Sequence, residues 1–233
     1  MPPKYGRRES TPDATESTEI VTIQIPSGER YTVHARLLAH HSKYFRAALN
    51  GAMKEATTLH FDLTEHATEF TVALYVKWLY ARSTPYYTRD GAVPYSGWIG
   101  QTKYDEALGK LCMAWLLGDY LQAPEFKNLI IVLLHRGLQT GKFWCHPLLD
   151  PYPSSGDVNL NSKLHDLLVD SLAYLMREDH ATATTHTERI LRGLDTGTTA
   201  KLLRKLIVGT RVVRKEARDY LEKEEQQATR GTR

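Results

Sequence analysis

Cysteine is almost missing from this chain of 233 residues. Its two cysteines, Cys112 and Cys145, cannot build a disulfide framework, and neither has the paired spacing of a zinc site. Long hydrophobic runs are missing too. The longest, residues 111–117 and 129–134, fall far short of the roughly 20 apolar residues that a membrane-spanning helix needs. The first residues are polar and carry prolines, so no signal peptide is expected. With so little cysteine, the chain reads as intracellular, cytoplasmic or nuclear. Charge of one sign is scarce as well: the formal net charge is +3, too small by itself to imply a nucleic-acid or membrane partner. Nor is there a Gly-rich phosphate loop, a Gly-x-Ser-x-Gly elbow or a paired metal-ligand motif. The histidines are scattered. Cys145-His146 adjacency does not make a nucleophile and base, which must meet in space with a third orienting group. Asp62, Glu65 and Glu69 read as solvated carboxylates. No catalytic, cofactor-binding or metal-binding residue is assigned, and an enzyme is not expected.

Apolar residues, in contrast, are ample at 42%, enough for a sizeable core. Residues 1–18 are rich in Pro, Ser, Thr, Glu and Arg without apolar periodicity, and are expected to be a disordered tail. Residues 20–25 alternate apolar and β-branched types, as a pleated strand does. Pro26-Ser27-Gly28-Glu29 then turns the chain into a second strand over residues 30–33, making a hairpin. Ser42 is placed to cap a helix whose Phe45, Ala48 and Leu49 share one face, and Asn50-Gly51 offers a left-handed end to it. His34 reads as a buried structural histidine joining strand to helix through a backbone hydrogen bond, and His40-His41 as helix-end polarity. A third strand is expected over residues 58–63, with Leu59, Phe61 and Leu63 on its buried face.

Thr64 is positioned to cap the next helix, where Phe70, Leu74 and Trp78 form a stripe widened by Tyr75 and Leu79. Residues 82–103 break the pattern with two prolines and three glycines among Tyr86, Tyr87, Tyr95 and Trp98, an insertion either functional or simply variable. Residues 104–121 are again helical, with Leu108, Leu111, Cys112, Trp115 and Leu116 on one side. Pro124 opens a further helix carrying Phe126, Leu129, Ile130, Leu133 and Leu134. Residues 141–163 read as a linker. Two more helical patterns make an extension over residues 164–225, the first with Leu164, Leu167, Leu168, Leu172 and Leu175, the second with Leu202, Leu203, Leu206, Ile207 and Val213. The second also bears Lys201, Arg204, Lys205, Arg211, Arg214, Lys215 and Arg218, read as a surface helix rather than a phosphate-binding stripe. Residues 226–233 close the chain as a second disordered tail. The expected class is α+β.

Val33-His34, Leu37-Leu38, Ser42-Lys43-Tyr44-Phe45 and Met53-Lys54-Glu55 together resemble the heart of a BTB/POZ domain. That family's pattern is an apolar strand, a His, two Leu-like residues, Ser-x-Tyr/Phe-Phe and Phe/Met-x-Glu. Leu79-Tyr80 is similar to the end of the family's third helix, and Gly118-Asp119-Tyr120-Leu121 to the Ala-Asp-Tyr/Lys-Leu end of its fourth. The likeness spans residues 19–140. Residues 189–213 are similar to a segment that follows the domain in many fungal members.

The resemblance implies a small three-stranded sheet packed against a helical cluster, with the helical extension behind it. It implies no cofactor, no membrane and no nucleic acid, but a protein–protein interaction module that homodimerises and binds partners or a scaffold. Its dimer interface would use Ile20, Val21, Ile23, Ile25, Leu37 and Leu38, the strand otherwise leaving a sticky edge in a monomer. His34, Ser42, Tyr44 and Phe45 would be structural. Met53 and Glu55 match the apolar-x-Glu motif that contributes to a Cullin-3 contact, giving a ubiquitin-ligase adaptor as one alternative. A transcription-associated regulator without its own DNA-binding motif is another. Glu19 and Ala35 stand where corepressor-recruiting members carry Asp and a basic residue, so that charged pocket is not reproduced.

Overall fold

The computed structural model describes residues 18–65, 67–82, 104–140, 162–178, 194, 196–207 and 217–221. The expected tails (apart from Thr18), Cys145, the insertion from residue 83 onward and most of the linker lie outside them.

Strand β1 (Ile20–Gln24) and strand β2 (Arg30–His34) form the expected antiparallel hairpin, with Ile20 opposite His34 and Gln24 opposite Arg30. Gly28 makes the reversal possible at φ +88°, where a side chain would be strained, and its N–H donates to the Ile25 carbonyl at 2.9 Å. Helices α1 (Ala35–His41), α2 (Lys43–Asn50) and α3 (Lys54–Thr58) follow, and the chain then returns as β3 (His60–Asp62), parallel to β1. Sheet order is β2-β1-β3. β1 is therefore the central strand, paired on both sides, and the expected exposed edge on it does not exist.

The third strand is shorter than the expected 58–63 because α3 occupies the approach to it. Leu59 closes α3 in the left-handed region at φ 51°, its N–H donating to the Glu55 carbonyl at 3.0 Å. Leu59 is only partly buried, whereas Phe61 and Leu63 point into the core. Gly51 is not left-handed (φ −86°); it is needed for space, since a Cβ there would lie 2.9 Å from the Ala47 carbonyl oxygen.

Helix α4 (Glu69–Arg82) is capped by Thr68 rather than Thr64. The Thr71 N–H donates to Thr68 Oγ1 at 3.3 Å and the Thr68 N–H to Thr71 Oγ1 at 2.9 Å, a reciprocal cap with threonine in the usual Glu/Gln place. Leu74, Tyr75, Trp78 and Leu79 form its buried stripe, with Phe70 half-buried at the margin. Helix α5 (Tyr104–Tyr120) buries all five expected side chains, including the Cys112 thiol. Helix α6 (Pro124–Thr140) begins at its proline and runs through the centre of the molecule, burying Phe126, Leu129, Ile130, Ile131, Leu133, Leu134 and Leu138. Burial on so many sides gives it neighbours all round.

His40 and His41 overturn the reading as helix-end polarity, for both are buried. The His41 ring lies edge-on to Trp78 at 5.0 Å, and its Nδ1 is 3.3 Å from a Glu125 carboxylate oxygen at the start of α6. Arg46 accounts for the α1 terminus, donating to the Ala39 carbonyl at 2.7 Å and the His40 carbonyl at 2.8 Å.

Helix α7 (Lys163–Glu178) starts inside the expected linker, capped by Ser162, whose hydroxyl accepts from the His165 N–H at 3.1 Å. Leu164, Leu167 and Leu168 join the main core, while Val169, Leu172 and Ala173 pack with Leu202 of helix α8 (Thr196–Ile207). The α8 lysines do not form a free basic stripe: Lys201 pairs with Asp166 at 2.5 Å and Lys205 pairs with Asp170, both on α7. Leu203 and Leu206 are half-buried; Val213 and the basic residues from Arg211 to Lys215 lie outside the described residues. A short 3-10 helix, Ala217–Tyr220, returns to the main core through Tyr220. The fold is α+β: one three-stranded sheet and eight α-helices among the described residues, none of them long and apolar enough to cross a membrane.

Candidate interaction surface

Ser42 sits at the junction on which the sheet-side half of the molecule rests. Its hydroxyl accepts from the Phe45 N–H at 3.1 Å, as a cap should, and donates to the Leu121 carbonyl at 2.6 Å. Leu121 lies where α5 ends in a Schellman turn. The Ala123 N–H reaches the Gly118 carbonyl at 2.9 Å and the Gln122 N–H the Asp119 carbonyl at 3.0 Å, with Gln122 at φ 51° in the position glycine usually takes. The first amides of α2 complete the joint: Lys43 N–H donates to the Gln122 carbonyl at 3.3 Å and Tyr44 N–H to the Leu121 carbonyl at 3.4 Å. The positive end of α2 thus abuts the negative end of α5, each satisfying groups the other helix leaves open.

Side chains reinforce the joint. The Tyr44 ring meets Phe45 and Tyr120 with centroids 5.2 Å away in each case, and Phe45 meets Phe61 edge-on at 4.9 Å. Burial, followed by the hydrogen bond with Tyr120, pushes the Tyr44 phenol upward, so it stays a neutral hydrogen-bonding group. On α6, Lys127 is buried with its ammonium 4.3 Å from the centre of the Trp115 ring and 2.6 Å from an Asp119 carboxylate oxygen. Gly118 permits this approach, since a Cβ there would fall 2.9 Å from Lys127 Cγ and 3.0 Å from Phe126 Cδ1.

His34 is half-buried, and its partner is a side chain rather than the expected backbone group. Its Nδ1 lies 2.7 Å from the Tyr80 hydroxyl, which ties the end of β2 to the last turns of α4. No sequence signal near His34 pointed to Tyr80, 46 positions away.

The outward surface differs from the expected interface. Val21, Ile23, Ile25, Leu37 and Leu38 are buried within the chain's own fold and are not open to a second copy. The period of two puts Ile20, Thr22 and Gln24 on the other side of β1, with Ile20 40% exposed. Met53 is 61% exposed just before α3, and Glu55 lies half-buried in that helix's first turn. α3 buries no residue of its own, so these side chains stand on an outlying element.

Burial holds the Cys112 thiol up at about 12, which keeps it protonated and inert. Among the described residues, no group of three or more His, Cys, Asp and Glu side chains could hold a metal ion. Compared with protein-family models, curated proteins and solved structures, the chain matches none.

Proposed function

We propose that the chain is a BTB/POZ-type protein-interaction module that self-associates and binds other proteins. The observation that carries this reading is the meeting of the separate motifs on which the resemblance rests. Ser42 of Ser-Lys-Tyr-Phe bonds to Leu121 of Gly-Asp-Tyr-Leu, 79 positions on, and His34 bonds to Tyr80 of the Leu-Tyr pair. The hairpin, paired helices, third strand and following helices also come in the order that the resemblance implies.

Self-association through β1 would use Ile20, Thr22 and Gln24, the residues turned outward, with Arg36 half-buried nearby in sequence. Two-fold symmetry would set the same patch against itself. The expected result is a dimer by solution mass measurement up to tens of micromolar, and a monomer of unchanged helicity for Ile20→Glu. A wild-type monomer over that range would sink the self-association part of the reading.

The exposure of Met53 favours a second reading, a Cullin-3 adaptor. A flexible thioether suits an adaptable apolar contact, and Glu55 offers a carboxylate beside it. Wild-type protein is expected to retain the cullin N-terminal domain in a pull-down, and the Met53→Asp, Glu55→Lys double variant to lose it. Equal retention by both proteins, or none by wild type, removes this reading.

A further inference from the structure

Strand β3 closes the sheet on one side, and no further strand pairs with its outer edge among the described residues. Two bonds to β1 fix which way its backbone groups point. The Thr22 N–H donates to the Leu59 carbonyl at 2.8 Å, and the Leu63 N–H to the Gln24 carbonyl at 2.9 Å. Peptide groups alternate sides along a strand, so those of Phe61 also face β1, while the N–H and C=O groups of His60 and Asp62 face outward. The side chains of these two residues share one face of the strand, opposite the buried Phe61 ring. They touch each other, with His60 Nε2 3.1 Å from Asp62 Oδ1, and the Asp62 carboxylate is exposed.

Polar side chains on a short edge strand ordinarily keep copies of a chain apart. Here they do so when His60 meets His60 or Asp62 meets Asp62, since like groups then lie opposite. Two-fold antiparallel pairing centred on Phe61 is different. It sets the His60 imidazole of each copy opposite the Asp62 carboxylate of the other, a donor–acceptor match with the ring neutral or charged. In the same register the outward N–H and C=O groups meet as hydrogen-bonded pairs, each exchanging both of its backbone bonds. We propose that the β3 edge is a self-complementary contact for a second copy of this chain, continuing the sheet across the two-fold axis. So short a contact buries less surface than a stable interface needs, and it acts at high local concentration. It uses the edge of the sheet, not the face that carries Ile20, Thr22 and Gln24. Where that face also pairs, a consequence resting on the self-association proposed above, the β3 edges join dimers into open chains.

The test uses the full chain carrying Ile20→Glu, which removes the β1 contact. At tens of micromolar it should be monomeric, and at about 0.5 mM a dimer should appear by sedimentation. His60→Asp added to it sets carboxylate against carboxylate, and Asp62→Lys sets ammonium against imidazole. Each should hold about tenfold less dimer than the parent at that concentration. Mixing the two variants sets the carboxylates of one against the Lys and His of the other, and the dimer should return in the mixture alone. No dimer of the parent, undiminished dimer in either variant, or a mixture no more associated than its components overturns the proposal. Should Ile20→Glu fail to fold, the same substitutions in the otherwise native chain are read as loss and recovery of the mass gained at high concentration. A wild type monomeric at tens of micromolar would remove the β1 contact alone, and the β3 contact is then read on the wild type directly.

Discussion

Phe45→Ala is expected to lower stability by about 3–5 kcal/mol, the range for deleting a buried aromatic ring. Phe45 is wholly enclosed, edge-on to Phe61 of β3 and in contact with Tyr44 beside it. The ring links α2 to β3 more closely than Tyr44 does, whose centroid is 6.3 Å from that of Phe61. Backbone at Phe45 is fixed by the Ser42 cap, so the site cannot readily collapse around the missing ring. For a fold whose total stability is on the order of 5–15 kcal/mol, that loss is a large share. His34→Ala serves as the contrast. It removes one partly buried hydrogen bond, to Tyr80, and should cost about 1 kcal/mol. Urea unfolding at constant slope measures both. A Phe45→Ala midpoint equal to that of the wild type would show that this ring is not what holds α2 to the sheet.

Much of the fold was legible wherever one local rule decided the outcome. Alternation in residues 20–25 marked β1, Pro26 to Glu29 marked the turn, and the leucines of α5, α6 and α7 marked their buried faces. Capping by Ser42 was readable because a hydroxyl before an apolar periodic run has one dominant use. What failed depended on neighbours from afar. His41 looks like helix-end polarity until α4 brings Trp78 and α6 brings Glu125 against it, and His40 is buried edge-on to His41. Leu59 and Gln122 take left-handed positions against their own preference, because β3 pairing and the α5 Schellman turn require a reversal there. Thr64 lost the cap to Thr68, which alone finds a matching hydroxyl three residues on.

The outward residues were misjudged for a related reason. Apolar alternation says that one face of β1 is buried, but not whether a second copy or the chain itself buries it. The structure assigns Val21, Ile23 and Ile25 to the chain's own core, which leaves Ile20, Thr22 and Gln24 for any partner. Basic residues on α8 were ambiguous in the same way until Asp166 and Asp170 on α7 came opposite them.

Ser42→Ala should cost about 2–3 kcal/mol, more than an ordinary cap loss. Alanine removes the hydroxyl and nothing else, so packing is little changed while the polar joint is cut. The Phe45 N–H loses its acceptor in a place water does not reach, and the Leu121 carbonyl keeps only the longer bond from Tyr44 at 3.4 Å. A cap alone would loosen α2 and nothing else. The 2.6 Å bond to Leu121 predicts more: α2 and the Schellman turn of α5 should loosen together, though they are 79 positions apart. Amide exchange separates the two cases. Faster exchange is expected both at Phe45, in the first turn of α2, and at Gln122 and Ala123, whose N–H groups close the α5 turn. Acceleration confined to Phe45 would reduce Ser42 to a local cap, and with it the junction that supports the proposed interaction module.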